Sequence, residues 1–336
     1  MPSLWDRFAD LPVVIDDYAV QRRELVVSPE FKRVTTTVVF HGGDATGQGE
    51  DVTYTAEDHD AFPAHEMLAG TWTLHDLSRR IGELDLWLDE PQMEASVDYR
   101  RWAFESAALD LALHQCGESF AERAGRAYAP VRFVASTRAD IEPYRAINPE
   151  LEFKLDADVG WDDALLAKLA STGRVRVVDF KAYYRGTSVD LEPDPELYRR
   201  VADALPEAVL EDASLEGECG EALRGAKDRL SFDAPIHSWN DVAKLPIEPR
   251  WLNIKPSRFG TVEALLECIE KCEERGIRMY GGGQFELGPG RLQIQKLASA
   301  FYPDGPNDVA PSEYNDGPPR AGLATSPLPA PDGPGF

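Results

Sequence analysis

Residues 251–290 read WLNIKPSRFGTVEALLECIEKCEERGIRMYGGGQFELGPG. WLNIKPS is an apolar, strand-like run, and IRMYGGG is another. Between them a helical pattern starts at Thr261 and stops at Gly276. Threonine caps helix N-termini, and glycine just past the last turn adopts the left-handed conformation that ends them. A strand, a helix and a second strand in this order form a parallel pair joined by a helical crossover.

Working outward, the same alternation extends back to about residue 131. Strand-like runs occur at VRFVAS, LEFKLDA, VRVVDFKAYY, AVLEDAS and RLSFDAP. Helical stretches lie between them at 163–170 and 194–205, the latter with Asp194 as N-cap and Pro195 in the first helical position. Seven such strands predict a closed barrel over residues 129–315. Residues 1–128 are patterned differently. Val34, Thr36, Val38 and Phe40 alternate as in a strand, HGGDATGQG reads as a turn-rich connection, and 97–115 form a long helix with an apolar face of Trp102, Leu109 and Leu113. That makes a compact α+β unit. The segment 316–336 carries six prolines and four glycines and is expected to be a surface strap or disordered.

The chain has 336 residues, 59 acidic and 35 basic, with a net charge of −24. Such a field repels phosphate backbones and anionic lipid, so nucleic acid and membrane surfaces are excluded as partners. Four cysteines make no disulfide framework, and Cys268 and Cys272 read as half-buried thiols on one helical face. With no leader-like segment and no long apolar run, a cytoplasmic protein is expected.

Three successive strand-like runs end in a carboxylate, Asp179, Glu211 and Asp233, and the next ends in Lys255. The intervals of 32, 22 and 22 residues are about one strand–helix unit each. The four side chains therefore form a ring at the C-terminal face of the barrel, where barrel enzymes keep their sites. Carboxylates held this close repel one another. A divalent cation relieves that, and oxygen donors on a rigid frame suit Mg²⁺. Ion pairs with Lys181, Lys255 and Arg258 are the alternative. His237 reads as a solvated loop histidine, and Trp161, Trp239 and Trp251 as packing.

WLNIKPSRFGTVEAL with GIRMYGGGQFELGPG resembles the sixth and seventh barrel strands of the enolase superfamily, in its mandelate racemase/muconate lactonizing, muconate-cycloisomerase-like branch. VLEDAS and LSFDAP are similar to the fourth and fifth strand ends. WAFESAALDLALHQCG resembles the helix joining the capping domain to the barrel, and GQGEDVTY the glycine-rich loop and strand of that domain. The resemblance implies a modified TIM barrel, (β/α)7β, with an N-terminal α+β capping domain. It implies Asp179, Glu211 and Asp233 as Mg²⁺ ligands and Lys255 as an acid/base lysine, with Lys154 near the substrate carboxylate. Glu286, Gly283 and Asp156 would line the substrate, and the loop around 42–50 would close over the mouth. The activity implied is abstraction of a proton α to a carboxylate through an enediolate, leading to racemisation, epimerisation, cycloisomerisation or elimination. The partner would be a small carboxylic acid, and the enzyme a homo-oligomer.

Two departures from the family pattern bear on this. Relatives carry Lys-x-Lys where this chain has Lys154-Leu155-Asp156, and Asp-x-Asn where it has Asp179-Phe180-Lys181. Either Lys181 supplies the missing ammonium from the neighbouring strand, or Lys181 and Asp156 neutralise each other. After Asp233, Ala234 and Pro235 replace the usual Glu-Ser, which is expected to loosen hydrogen bonding around the site. The rival reading is a catalytically decayed barrel acting as a binding module. A third is an unrelated barrel enzyme sharing only the carboxylate ring.

Overall fold

The computed structural model describes residues 3–29, 31–60, 62, 68–138, 140–185, 191–315 and 317–336. The first residue of the expected tail, Asp316, lies outside them. The chain opens with β1 (Pro12–Ile15), then β2 (Asp17–Ser28), β3 (Phe31–Gly42) and β4 (Ala45–Asp51), which form an antiparallel sheet in the order β2-β3-β4. β5 (Gly70–Thr73) pairs antiparallel with β1. Two helices follow, α1 (Leu74–Gly82) and α2 (Ser96–Cys116), and then the short α3 (Phe120–Arg123).

Seven parallel strands come next, in sequence order: β6 (Val134–Thr137), β7 (Glu152–Asp156), β8 (Val175–Asp179), β9 (Val209–Glu211), β10 (Leu230–Phe232), β11 (Trp251–Ile254) and β12 (Arg278–Gly281). Between them lie α4 (Glu142–Ile147), α5 (Asp163–Thr172), α6 (Pro195–Ala204), α7 (Gly217–Ala222), α8 (Trp239–Val242) and α9 (Val262–Arg275), with α10 (Gly290–Phe301) after β12. The start and stop signals act as read. Asp194 accepts from the amides of Glu196 and Leu197, Thr261 accepts from Ala264, and Gly276 has φ +65°.

The ring is closed by a two-residue eighth rung. Phe133 and Gly282 form parallel bridges to Asn307 and Asp308. The Asn307 carboxamide accepts from the Gly281 amide at 2.7 Å and donates to the Arg132 carbonyl at 2.9 Å.

Helix α2 departs from the single-faced expectation, since residues 102–113 are all buried. It lies between the capping sheet and the barrel, so that stretch has no solvent face. Glycines in β4 permit the approach. A Cβ at Gly47 would lie 2.2 Å from the Leu111 nitrogen, and one at Gly49 would lie 2.1 Å from the Ala103 carbonyl. Cys268 and Cys272 are fully buried rather than half-buried, because α9 packs that face onto the barrel. All four thiols are free.

The tail is a strap. Leu328 exchanges backbone hydrogen bonds with Val131, and the Phe336 ring packs 4.7 Å from Phe120 and edge-on to Trp102. Burying a ring of that size contributes roughly 1.5–3 kcal/mol, enough to hold a segment that has no periodic structure.

Candidate active site

Parallel pairing puts the strand ends side by side. Asp156 is in register with Asp179, and Asp179 with Glu211. Asp233 follows β10 and Lys255 follows β11. Asp179, Glu211, Asp212 and Asp233 are all 0% exposed. One ligand atom each from Asp179, Glu211 and Asp212 lies within 4.8 Å of the others.

Four cations face Asp179, Glu211 and Asp233. Lys154 pairs with Glu211 and lies 3.2 Å from Asp179. Lys181 lies 2.5 Å from Asp179 and 3.5 Å from Asp156. Asp233 takes Lys255 at 2.8 Å and Arg258 at 3.3 Å. The Tyr184 hydroxyl donates to Asp233 at 2.9 Å and accepts from Arg258 at 3.0 Å. Under Glu211, the Tyr280 hydroxyl and the Asn253 amide donate to its second oxygen.

Burial raises the pKa of every carboxylate here, and the neighbouring charges then separate them. For Asp179 burial is outweighed by Lys181 and Lys154, which hold it far below the usual carboxylate range. Asp233 is likewise held down against burial, by Arg258 and Lys255. Glu211 is pushed well up by burial, with Asp179, Asp233 and Asp212 adding to it against Lys154. Asp212 is pushed up to about 7 by burial and by Asp233 and Asp179. Burial also works against the charges of Lys181 and Lys154. Their acid partners prevail, and both lysines sit above the ordinary lysine value.

Lys181 reaches Asp179, but not through strand alternation. β8 ends at Asp179, and Lys181 has φ +55°, so a left-handed turn curls its chain back onto the mouth. Asp212, which sequence reading passed over, has φ +51°. Its carboxylate accepts from the amides of Asp233 at 2.8 Å and Ala234 at 3.0 Å. This is the anchor expected to be missing after β10, and it comes from the neighbouring strand instead. Its only signal in the sequence is its place beside Glu211. Tyr280 and Asn253 were also missed. Asn253 sits two residues before Lys255 and Tyr280 three before Gly283, and both side chains reach Glu211 inside the barrel.

Glu286 and Gly283 belong together in the segment after β12. Glu286 accepts from the Gln284 amide at 2.6 Å and lies 3.0 Å from Arg291. A Cβ at Gly283 would meet its carboxylate at 2.3 Å, which explains the glycine. Asp156 stands at the rim, held by Arg138 at 2.6 Å. His237 pairs with Asp98 at 3.1 Å.

The expectation of a 42–50 loop over the mouth is corrected. Residues 45–51 are β4, and the turn at 42–43 is tied to Gln115 and Asp16 near the C-terminal end of α2. The mouth is at the other end of α2, about 24 Å away at 1.5 Å per residue, where Tyr99 accepts from Gln284. What β4 delivers to the barrel is Glu50, which accepts from the amides of Leu287, Gly288 and Gly290. Arg33 of β3 grips the carbonyls of Gln284 and Phe285, and Tyr54 donates to Gln284.

The donor set suits a hard divalent cation. Every donor is a carboxylate oxygen, all are buried, and Asp233 Oδ1 accepts no hydrogen bond. Among the described residues no helix is long and apolar enough to cross a membrane.

Residues 127–316 match the family described as domain of unknown function (DUF8230), C-terminal domain, and residues 6–123 match its N-terminal domain. No curated protein sequence matches the chain. Among solved structures, a dipeptide epimerase from Methylococcus capsulatus complexed with Mg and the dipeptide L-Arg-D-Lys is similar over 96% of this chain and 98% of its own, with a TM-score of 0.71 and 18% identity. Muconate cycloisomerase from Pseudomonas fluorescens is similar over 95% of both chains, with a TM-score of 0.64 and 17% identity. A member of the enolase superfamily of unknown role from Enterococcus faecalis V583 is similar over 90% of this chain and 87% of its own, with a TM-score of 0.62 and 20% identity. The fold these structures share with the chain is a capping antiparallel sheet on a parallel-stranded barrel.

Proposed function

Because the chain belongs to the DUF8230 family and is built on the enolase-superfamily fold, we propose that it is a Mg²⁺-dependent enzyme abstracting a proton α to the carboxylate of a small acid. The observation that carries this is the row of buried carboxylates on consecutive strand ends, flanked by Lys181 on one side and Lys255 on the other. Asp179, Glu211 and Asp233 would hold the cation, with Asp212 beside them. Bound there, the cation supplies positive charge against the negative charge that develops on the substrate carboxylate.

The protein's own groups do the rest. Lys255 and Lys181, attached to β11 and β8, approach the space above the carboxylates from separate strands, as an acid/base pair requires. Lys154, 2% exposed and tied to Glu211, fixes that ligand and adds charge near the substrate carboxylate. Tyr184 and Arg258 orient Asp233. Tyr54 and Tyr99 both hydrogen-bond to Gln284 beside the mouth. Isomerase and lyase outcomes both begin with this proton transfer. In this reading the enzyme is cytoplasmic and a homo-oligomer, the latter checked by sedimentation.

The test is isotope exchange. Carboxylic acids, N-acyl amino acids and dipeptides incubated with the protein in D₂O should acquire α-deuterium only when Mg²⁺ is present. Exchange without metal, or its survival in Lys255→Met, would refute the assignment. A second reading, a binding module without turnover, draws on the pairing of Asp179, Glu211 and Asp233 with Lys154, Lys181, Lys255 and Arg258. It predicts no exchange on any acid.

A further inference from the structure

We propose that Lys181 is a built-in competitor for the divalent cation, holding Asp179 in the metal-free protein and moving to Asp156 when the cation enters. This rests on the reading of the carboxylate row as a metal site. Asp179 Oδ2 already serves two ammonium groups, Lys181 at 2.5 Å and Lys154 at 3.2 Å, in a place sealed from water. A dication binding the same carboxylate meets both charges at short range, in surroundings that screen them poorly. One of them must leave.

Lys154 has no room to do so. It is 2% exposed, lies within the barrel on β7, and is also bonded to Glu211. Lys181 differs in the first two respects. It follows the end of β8 in a left-handed turn. A second carboxylate, Asp156, lies 3.5 Å from its ammonium, and the Tyr184 ring centroid lies 4.9 Å away. Its side chain is 13% exposed. A short swing therefore keeps the ammonium paired while freeing Asp179. Cation entry and the placing of Lys181 become one event, and the Lys181–Asp156 pair gains a purpose beyond mutual neutralisation.

The experiment is Mg²⁺ titration calorimetry on the wild type, Lys181→Met, Lys181→Arg and Asp156→Asn. Removing the competing charge is expected to tighten Mg²⁺ binding by tenfold or more. Lys181→Arg should stay near wild type, and Asp156→Asn, which removes the alternative berth, should bind severalfold more weakly. Lys181→Gln is the second uncharged variant and should match Lys181→Met. If only the uncharged variants bind Mg²⁺, the competitor is confirmed in its strongest form. If the wild type binds and neither uncharged variant binds more tightly, the inference falls while the metal site stands. If no form binds, the metal site itself falls, and the inference with it.

Discussion

Arg100 with Asp51 in the capping domain and Lys154 with Glu211 in the barrel are both ion pairs sealed from water, but their surroundings differ. Arg100 spends its remaining donors on the carbonyls of Leu86 and Asp58 and lies over the Trp87 and Phe62 rings at 3.5 and 4.1 Å. Asp51 also accepts from the Thr53 amide and hydroxyl. Nearby, neutral His59 fits both its neighbours, accepting from the Thr36 hydroxyl and donating to the Thr53 carbonyl. At the barrel mouth, by contrast, carboxylates crowd together, two ammoniums share one oxygen of Asp179, and Asp233 Oδ1 accepts no hydrogen bond. A saturated cluster fixes a shape. A crowded one holds charge in readiness for something else.

Four measurements would break or sharpen that contrast. Arg100→Met leaves Asp51 buried without its partner and should cost about 4 kcal/mol in denaturant unfolding, with no recovery in Mg²⁺. Lys154→Met should cost about 3 kcal/mol without metal, because Glu211 then faces Asp179 without its ammonium partner. Mg²⁺ should restore most of that loss, and equal losses in both conditions would erase the distinction between the clusters. Tyr280→Phe removes one donor to Glu211 and should cost about 1 kcal/mol, with a severalfold weaker Mg²⁺ affinity.

The smallest effect is a pH dependence. Burial lowers the His59 pKa below its ordinary 6.5. The folded state thus resists a proton that the unfolded chain accepts, so this contribution is complete above pH 6.5 and is lost as the pH falls below it. Relative to His59→Gln, the wild type should lose stability as the pH falls below about 6.5. Parallel profiles for the two proteins would show that His59 does not titrate on unfolding.

The sequence made the barrel legible because each strand is an apolar run punctuated by capped helices. Asp194-Pro195 and Thr261 through Gly276 carry local rules that tertiary structure had no reason to override. The 42–50 segment misled for a physical reason. Gly47 and Gly49 have the composition of a loop, yet they are glycines because α2 passes too close for a Cβ. Asp179, Glu211, Asp233 and Lys255 could be found from spacing alone. Asp212 could not, because only its left-handed backbone turns it towards β10. Nor could the eighth rung, since two residues have no periodicity. The tail was read as either strap or disorder, and what decides it is the Phe336 ring finding Phe120 and Trp102.

That eighth rung has a consequence for how the molecule comes into being. Asn307 joins the Arg132 carbonyl to the Gly281 amide, a contact spanning 175 residues on one side. Until the ribosome has released this asparagine, the first and last strands have nothing to bridge them and the mouth is an open sheet. Closing so large a loop delays the final step of folding. The nascent chain thus carries its row of carboxylates on β8, β9 and β10, the middle of an open sheet, before the ring shuts around them.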